Sequence, residues 1–206
     1  MLMHVPNIPA PVRQQRREAA AAVAGALAAA AAGDGDAFVE WFGRCETLGV
    51  VCRAIRGLGR HAPPLTDDMR AFFLELWIRA GDAMRSQAAC DLDLVAMLRA
   101  CLPPYDGPAL RLYRGDSFWN RRRRTYGLSW TMNQSVAEGY AAGLWRACVG
   151  GSVVLEADVP AQAVIATVPA DGDRYGEREC LVDRRHLGAV RVIRRLRQAM
   201  PESAVT

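Results

Sequence analysis

The pair Pro103-Pro104 divides this chain into two parts with different hydrophobic patterns. Proline fixes its own φ and restricts the residue before it, so two in succession end a helix. Before the pair, alanine-rich and amphipathic segments predict helices. After it, short runs rich in β-branched and aromatic residues predict strands. We therefore expect an α+β protein with an N-terminal helical lobe, residues 1–104, and a second, α+β lobe, residues 105–206.

Helix ends are marked at several places in the first part. The alanine-rich run from Glu18 to Ala32 predicts a helix that ends at Gly33. Asp36 opens a segment whose apolar residues recur at spacings of three and four, which is typical of a helix with one buried face. Thr66, followed by two aspartates, predicts an N-cap, and Asp91 predicts the cap of a last helix.

Six runs in the second part predict strands. Each is bounded by Gly, Pro or Asp. Between the second and third runs, Val136 and Tyr140 lie four residues apart and predict a helix capped by Asn133 or Ser135, with Tyr140 facing inward. The predicted strands are ALRLYRG, YGLSWT, GSVVLEADV, AVIATV, ECLVD and AVRVIRRL.

Cysteine and histidine spacing argues against a metal site or a disulfide scaffold. None of the 6 Cys forms a C-x-x-C pair, and the 3 His are scattered. A reducing cytoplasm is the default expectation, with delivery into a host or target cell left open. The N-terminal RQQRREAAAAV resembles a signal peptide only superficially, because alanine is weakly hydrophobic and Glu18 interrupts the run. No stretch predicts a membrane span.

The formal net charge is +4, and all 26 of the Lys and Arg residues are arginines. Arginine suits bidentate binding of phosphates and carboxylates. The run Arg121–Arg124 would suit a pyrophosphate, an acidic partner or nucleic acid, although such runs are usually solvated loops.

Two glutamates stand two positions apart where the segment YGEREC enters a predicted strand. Glu177 and Glu179 would then share one side of the strand, because side chains alternate along it. Two negative charges at such a short distance repel each other. The pair is therefore either solvated or arranged to hold cationic groups.

Two further motifs lie in the same lobe. The segment LYRGD places Arg114, followed by Gly115, at the end of a strand. The segment GLSWT places Ser129 and Thr131 on one face of a strand and Trp130 on the other, directly before the predicted helix.

An arginine, then a Ser-x-Thr strand leading into a helix, then Glu-x-Glu entering a late strand resembles the arginine-type mono-ADP-ribosyltransferases. That family includes bacterial toxins and effectors. The resemblance covers Leu110 to Val192, and the first hundred residues resemble no family. The middle motif reads Ser-Trp-Thr where the usual form is Ser-Thr-Ser. The resemblance implies a split β-sandwich with helices, NAD as co-substrate without a metal, and a target protein with an acceptor arginine.

The resemblance also implies roles for individual residues. Glu179 would stabilise the ribose carbon that becomes cationic as nicotinamide leaves, and Ser129 would hydrogen-bond Glu179. Glu177 would hold the acceptor guanidinium and favour loss of its proton, and Tyr175 would stack on that guanidinium. The residues expected to bind the dinucleotide are Arg114, Gly115, Ser129, Trp130, Thr131 and Tyr140.

Other interpretations of the same residues stay open. Water as acceptor would make the chain an NAD glycohydrolase. The acceptor could also be a nucleic acid or a side chain other than arginine: Glu-x-Glu argues against this, and the basic charge argues for it. A non-catalytic basic module that binds an acidic partner is the alternative outside enzymes. In the enzyme interpretation, Arg114, Ser129 and Glu179 should line one cleft.

Overall fold

The computed structural model describes residues 9–62, 64–143, 150–170, 172–173 and 176–196, and the chain divides between Pro103 and Pro104 into two compact units. The first unit is helical, and the second combines a sheet with helices. Across the described residues there are seven α-helices and six strands, so the protein is α+β. None of the described helices is long and apolar enough to cross a membrane.

The helical unit follows several of the signals in the sequence. Gly33 ends the first helix in the left-handed region, with φ of 73°. The Thr66 hydroxyl accepts a hydrogen bond from the backbone N–H of Met69 at 3.2 Å, which confirms the predicted N-cap. The helices described in this unit are α1 Ala10–Ala32, α2 Gly35–Thr47, α3 Val51–His61, α4 Asp67–Gln87 and α5 Asp91–Cys101.

Other helix boundaries differ from the prediction. Helix α1 begins at Ala10 because proline is tolerated in a first turn and the glutamines and arginines that follow favour helix. The cap of α2 is Asp34, whose carboxylate accepts from Ala37 N–H at 2.9 Å. Helix α5 is preceded by Cys90 at the N-cap position, and Asp91 lies in its first turn. Helix α3 was not predicted, because two glycines interrupt its pattern.

All six predicted strands are present in the second unit, and they form one antiparallel sheet in the order β4-β5-β2-β1-β3-β6. The strand pairing is shortest between β1 and β2, which share a single pair of opposed residues, Tyr113 and Thr131. This short pairing is the narrow junction of the sheet. By contrast, β1 pairs with β3 along its whole length. The strands are β1 Leu110–Ser117, β2 Ser129–Thr131, β3 Ser152–Val159, β4 Val164–Thr167, β5 Glu179–Val182 and β6 Val190–Leu196.

Two helices accompany the sheet. Helix α7, Gln134–Ala142, is capped by Asn133, one of the two predicted candidates, because the Asn133 side chain accepts from Ser135 N–H at 3.0 Å. Helix α7 packs against β1, and the Ser152 hydroxyl donates to the carbonyl of Ala141 near its end. The short helix α6, Phe118–Arg123, occupies the connection from β1 to β2.

A buried carboxylate stabilises the end of β5. Asp183 is fully buried and accepts hydrogen bonds from Arg185 Nη2 at 2.6 Å and Nε at 2.9 Å. Burial opposes the charged form, but the hydrogen bonds from the Arg185 side chain and backbone outweigh burial, so the Asp183 pKa lies below its ordinary value. A carboxyl group with a lowered folded-state pKa contributes stability above its unfolded pKa of about 3.9, and that stability is lost as the pH falls towards the folded value.

We expect Asp183→Asn to lower the free energy of unfolding by about 2 kcal/mol at neutral pH, because a charged acceptor is lost from a buried site. The difference from wild type should shrink as the pH falls below about 4, because the unfolded state takes up the proton before the native carboxylate does, and it should be smallest once the native carboxylate is protonated too. Urea unfolding across this pH range measures both effects, with the exposed Asp106→Asn as control. A difference that is independent of pH would contradict this account of Asp183.

Candidate functional site

The three strands that carry the predicted motifs are consecutive neighbours at the centre of the sheet, in the order β5-β2-β1. Thr131 lies opposite Glu179 on β5 and opposite Tyr113 on β1. Directly opposed residues of antiparallel strands share a face, so these three form one row across the sheet. Glu179 is half-buried, and Thr131 is 6% exposed.

Ser129 shares this face but not the row. It lies opposite Leu181 in the register and is therefore diagonal to Glu179. Its side chain is half-buried. Diagonal neighbours on one face lie about 7–8 Å apart at the backbone, within reach of a glutamate side chain. The structure therefore places Ser129 and Glu179 on one face of the sheet as diagonal neighbours.

The loop before β5 is fixed by an aspartate that the sequence analysis did not select. The Asp173 carboxylate accepts from the backbone N–H of Glu177 and from that of Arg178, both at 2.8 Å. Arg178 has φ of 47°, a left-handed conformation that is unfavourable for a residue with a side chain. Glu177 therefore lies in the loop before β5, and the left-handed Arg178 separates it from Glu179, so the prediction that the two glutamates share one side of a strand is wrong.

The carboxylate of Glu177 is oriented by helix α7. The Tyr140 hydroxyl donates to Glu177 Oε1 at 2.8 Å. Tyr140 is 37% exposed, so the prediction that it faces inward is wrong. Its position beside a functional candidate nevertheless keeps it in the site.

Thr131 holds the backbone of the same loop. Its hydroxyl donates to the carbonyl of Glu177 and accepts from Asn133 N–H at 2.9 Å. One threonine thus connects the end of β2 to both α7 and the Glu177 loop. Its predicted contact with a dinucleotide is replaced by a positioning role, because it is buried and its hydroxyl is used on both sides.

Arg114 lies at the narrow junction of the sheet. Because side chains alternate along a strand, the Arg114 side chain leaves β1 on the face opposite to that of Tyr113. The guanidinium then turns into the junction, where Nη1 donates to the carbonyl of Ser129 and Nε donates to Asp116 at 2.8 Å. Gly127 leaves the space for it, because a Cβ there would lie 2.4 Å from Nη2.

These contacts correct two expectations about Arg114. Its guanidinium lies between β1 and β2 and does not line the face that carries Glu179. It also binds protein groups, with its side chain 21% exposed and that of Asp116 4% exposed. Arg114 was predicted to contact phosphate or ribose oxygens. In the structure its guanidinium donates to Asp116 and to the Ser129 carbonyl, so it holds β2 beside β1.

Gly115 and Trp130 also have packing roles in place of the predicted cofactor contacts. A Cβ on Gly115 would lie 2.4 Å from the carbonyl oxygen of Ala137 and 2.5 Å from the N of Ala141, so only glycine lets α7 approach β1 this closely. Trp130 is 2% exposed and packs edge-on against Tyr126 in the core. Trp130 lies on the face opposite Ser129 and Thr131, as predicted.

Two remaining positions complete the comparison with the prediction. Tyr175 lies outside the described residues. Cys180 follows Glu179 in β5, and its burial, together with the charge of Glu179, raises the pKa of its thiol to about 12. A thiol that stays protonated at neutral pH is a poor nucleophile, and Cys180 lies opposite Trp130, on the other face of the sheet from Glu179.

Three residues that the sequence analysis missed organise the site. Asp116 and Gly127 position Arg114, and Asp173 positions Glu177. Only Asp173 has a recognisable signal, an aspartate three residues before a glycine in a turn-rich segment. The other two act through contacts between separate strands and loops, which a single sequence does not show.

No family model, curated protein or solved structure matches this chain. The site is therefore interpreted from its own geometry: two partly exposed glutamates, Glu179 at the start of β5 and Glu177 in the loop before it, with Glu177 oriented by the hydroxyl of Tyr140.

We expect Gly127→Ala to lower the free energy of unfolding by about 1–3 kcal/mol, because the added methyl group displaces the Arg114 guanidinium from its two acceptors. Chemical denaturation measures this loss. The control is Gly43→Ala on α2, where a Cβ meets nothing within 4 Å. In an Arg114→Ala background, Gly127→Ala should cost little. An equal loss in the free energy of unfolding in both backgrounds would contradict the conclusion that Gly127 leaves space for the Arg114 guanidinium.

Proposed function

We propose that this chain is an NAD-dependent mono-ADP-ribosyltransferase that modifies an arginine side chain of a target protein. The observation that carries the proposal is the adjacency of β5, β2 and β1, which brings the three motifs of the family resemblance to the centre of one sheet. The second unit would then be an ADP-ribosyltransferase-like split β-sandwich with helices. Its split would be the narrow junction between β1 and β2.

NAD would supply the ADP-ribosyl group: the bond from ribose to nicotinamide breaks, nicotinamide keeps the bonding electrons, and an arginine nitrogen of the target bonds to the ribose carbon as it loses a proton. The residues of the site fit such a ligand. Glu177, Glu179 and Ser129 are each partly exposed, so their side chains can be reached, while buried Thr131 holds the strand and loop that carry them.

Glu179 is the residue proposed to act on the ribose. A fixed carboxylate stabilises positive charge where it develops, and the stabilisation is strong because the protein holds the group in place beforehand. Glu179 is held by its position in β5, opposite Thr131, and its carbonyl accepts from Val168 N–H at 2.9 Å. Ser129, diagonal on the same face, would orient its carboxylate.

Glu177 is the residue proposed to act on the acceptor arginine. A carboxylate has about four acceptor positions, so the hydrogen bond from Tyr140 orients it and leaves capacity for a guanidinium. Holding that guanidinium beside the ribose supplies orientation, and accepting its proton makes the nitrogen nucleophilic. The two glutamates would thus have separate cationic partners.

Substitution of the two glutamates should separate the two roles. Glu179→Gln should reduce both nicotinamide release and protein labelling by at least about 100-fold, because charge stabilisation at the ribose is lost. Glu177→Gln should reduce protein labelling by about 100-fold or more and leave nicotinamide release to water largely unchanged. The assay is incubation with labelled NAD and an arginine-rich protein substrate, with nicotinamide measured in parallel.

The matched control is Glu40→Gln, a carboxylate on α2 that pairs with Arg44 on the exposed surface. Full protein labelling by Glu179→Gln would contradict the proposal. Nicotinamide release by the wild type without labelled protein would instead assign water as the acceptor and make the chain an NAD glycohydrolase.

A further inference from the structure

The short helix α6 and the residue that follows it carry an unusual concentration of charge. The basic platform, defined as residues Phe118–Arg124, contains four arginines and no acidic residue. Its charge of +4 equals the formal net charge of the whole chain. Without this segment the chain would be close to neutral, so the platform dominates the attraction of this protein for anions.

The basic platform is a fixed structure and not the solvated loop that such a run usually forms. Asp116 accepts from Asn120 Nδ2 at 2.7 Å, and the Ser117 hydroxyl accepts from Asn120 N–H at 3.1 Å. Thr125 closes the far end, donating from its backbone N–H to the Asn120 carbonyl at 3.0 Å. Phe118 packs against the core below. A pre-ordered surface loses little entropy when it binds a partner.

The arginines of the basic platform are available to a partner. None of the four forms an ion pair with a carboxylate among the described residues, and Arg122, Arg123 and Arg124 are exposed. Arg121 Nε is buried without a hydrogen-bond acceptor in the described part of the chain. Other arginines of the same unit are paired with carboxylates: Arg111, Arg114, Arg185, Arg191 and Arg194.

An exposed aromatic ring lies among these arginines. Trp119 is 59% exposed, although its neighbour Phe118 is packed inward. The guanidinium of Arg123 lies over the Trp119 ring, with its carbon 4.1 Å from the ring centroid. This cation–π contact holds the indole in a fixed orientation.

We infer that the basic platform is a binding surface for single-stranded nucleic acid. Exposed arginines bind backbone phosphates, and an indole held at the surface offers a face on which an unpaired base stacks. An acidic protein segment would satisfy the arginines but would not use the aromatic face. Duplex nucleic acid keeps its bases stacked inside, so the single strand is favoured.

The inference does not depend on the proposed transferase activity, and its test contains no NAD. Binding of a fluorescein-labelled oligothymidylate is measured by anisotropy over a salt series. Wild type should bind with an affinity that falls steeply with salt. Arg122→Gln, Arg123→Gln and Arg124→Gln together should reduce the slope of log K against log salt by about 2, since each phosphate contact on a single strand contributes about 0.7.

Substitution of the indole tests the stacking contact separately from the charge. Trp119→Ala should weaken binding by roughly tenfold or more, and Trp119→Phe should weaken it less, because a ring remains to stack. The control replaces Arg44, Arg60 and Arg79 by glutamine, which removes the same charge from exposed, ion-paired arginines of the helical unit. This control should leave binding nearly unchanged.

Three results would overturn the inference. The control variant could weaken binding as much as the platform variant, which would show only a general effect of charge. Trp119→Ala could leave the affinity unchanged while polyglutamate binds more tightly than the oligonucleotide, which would assign an acidic protein partner. Duplex DNA could bind as tightly as the single strand. Circular dichroism verifies that each variant is folded, and Trp119→Phe retains the test if Trp119→Ala does not fold.

Discussion

The contact of Arg114 with the Ser129 carbonyl holds the second unit together where its sheet is weakest. Strands β1 and β2 share one pair of opposed residues. Beyond that pair, the Arg114 side chain donates to the Ser129 carbonyl of β2, where a backbone N–H of β1 would otherwise do so. The opposite side of the guanidinium is fixed by buried Asp116, which also accepts from Asn120 of α6. Residues of the sheet junction, the candidate site and the basic platform are therefore connected through one short chain of charge-assisted hydrogen bonds.

The two glutamates depend on that junction indirectly, through β2. Strand β2 ends at Thr131, whose hydroxyl fixes the Glu177 backbone, while the Asp173 carboxylate stabilises the left-handed Arg178 between the two glutamates. An unfavourable backbone conformation that several hydrogen bonds maintain is typical of functional sites. The same arrangement turns Glu177 towards Tyr140 and leaves Glu179 in the strand register, so the like charges have different surroundings.

The sequence predicted the elements of the second unit well, because strand alternation and turn residues are local signals. All six strands and the Asn133 cap were predicted. It failed where side chains cross between elements. Ser129 and Glu179 share one face of the sheet as expected, but the direction of the Arg114 side chain was not predicted, because it depends on where β1 and β2 separate. The sequence around Gly115 likewise gives no indication that this glycine lets α7 pack closely against β1.

The central claim is that the face of β2 and β5 bearing Glu179 receives the ribose of NAD. The most direct measurement is a crystal structure with an NAD analogue whose ribose ring oxygen is replaced by carbon, so that the bond to nicotinamide is not cleaved. We expect the ribose carbon next to the Glu179 carboxylate and the nicotinamide on the same face of the sheet. An analogue bound on the face where Trp130 is buried, or no binding at saturating concentration, would contradict the account.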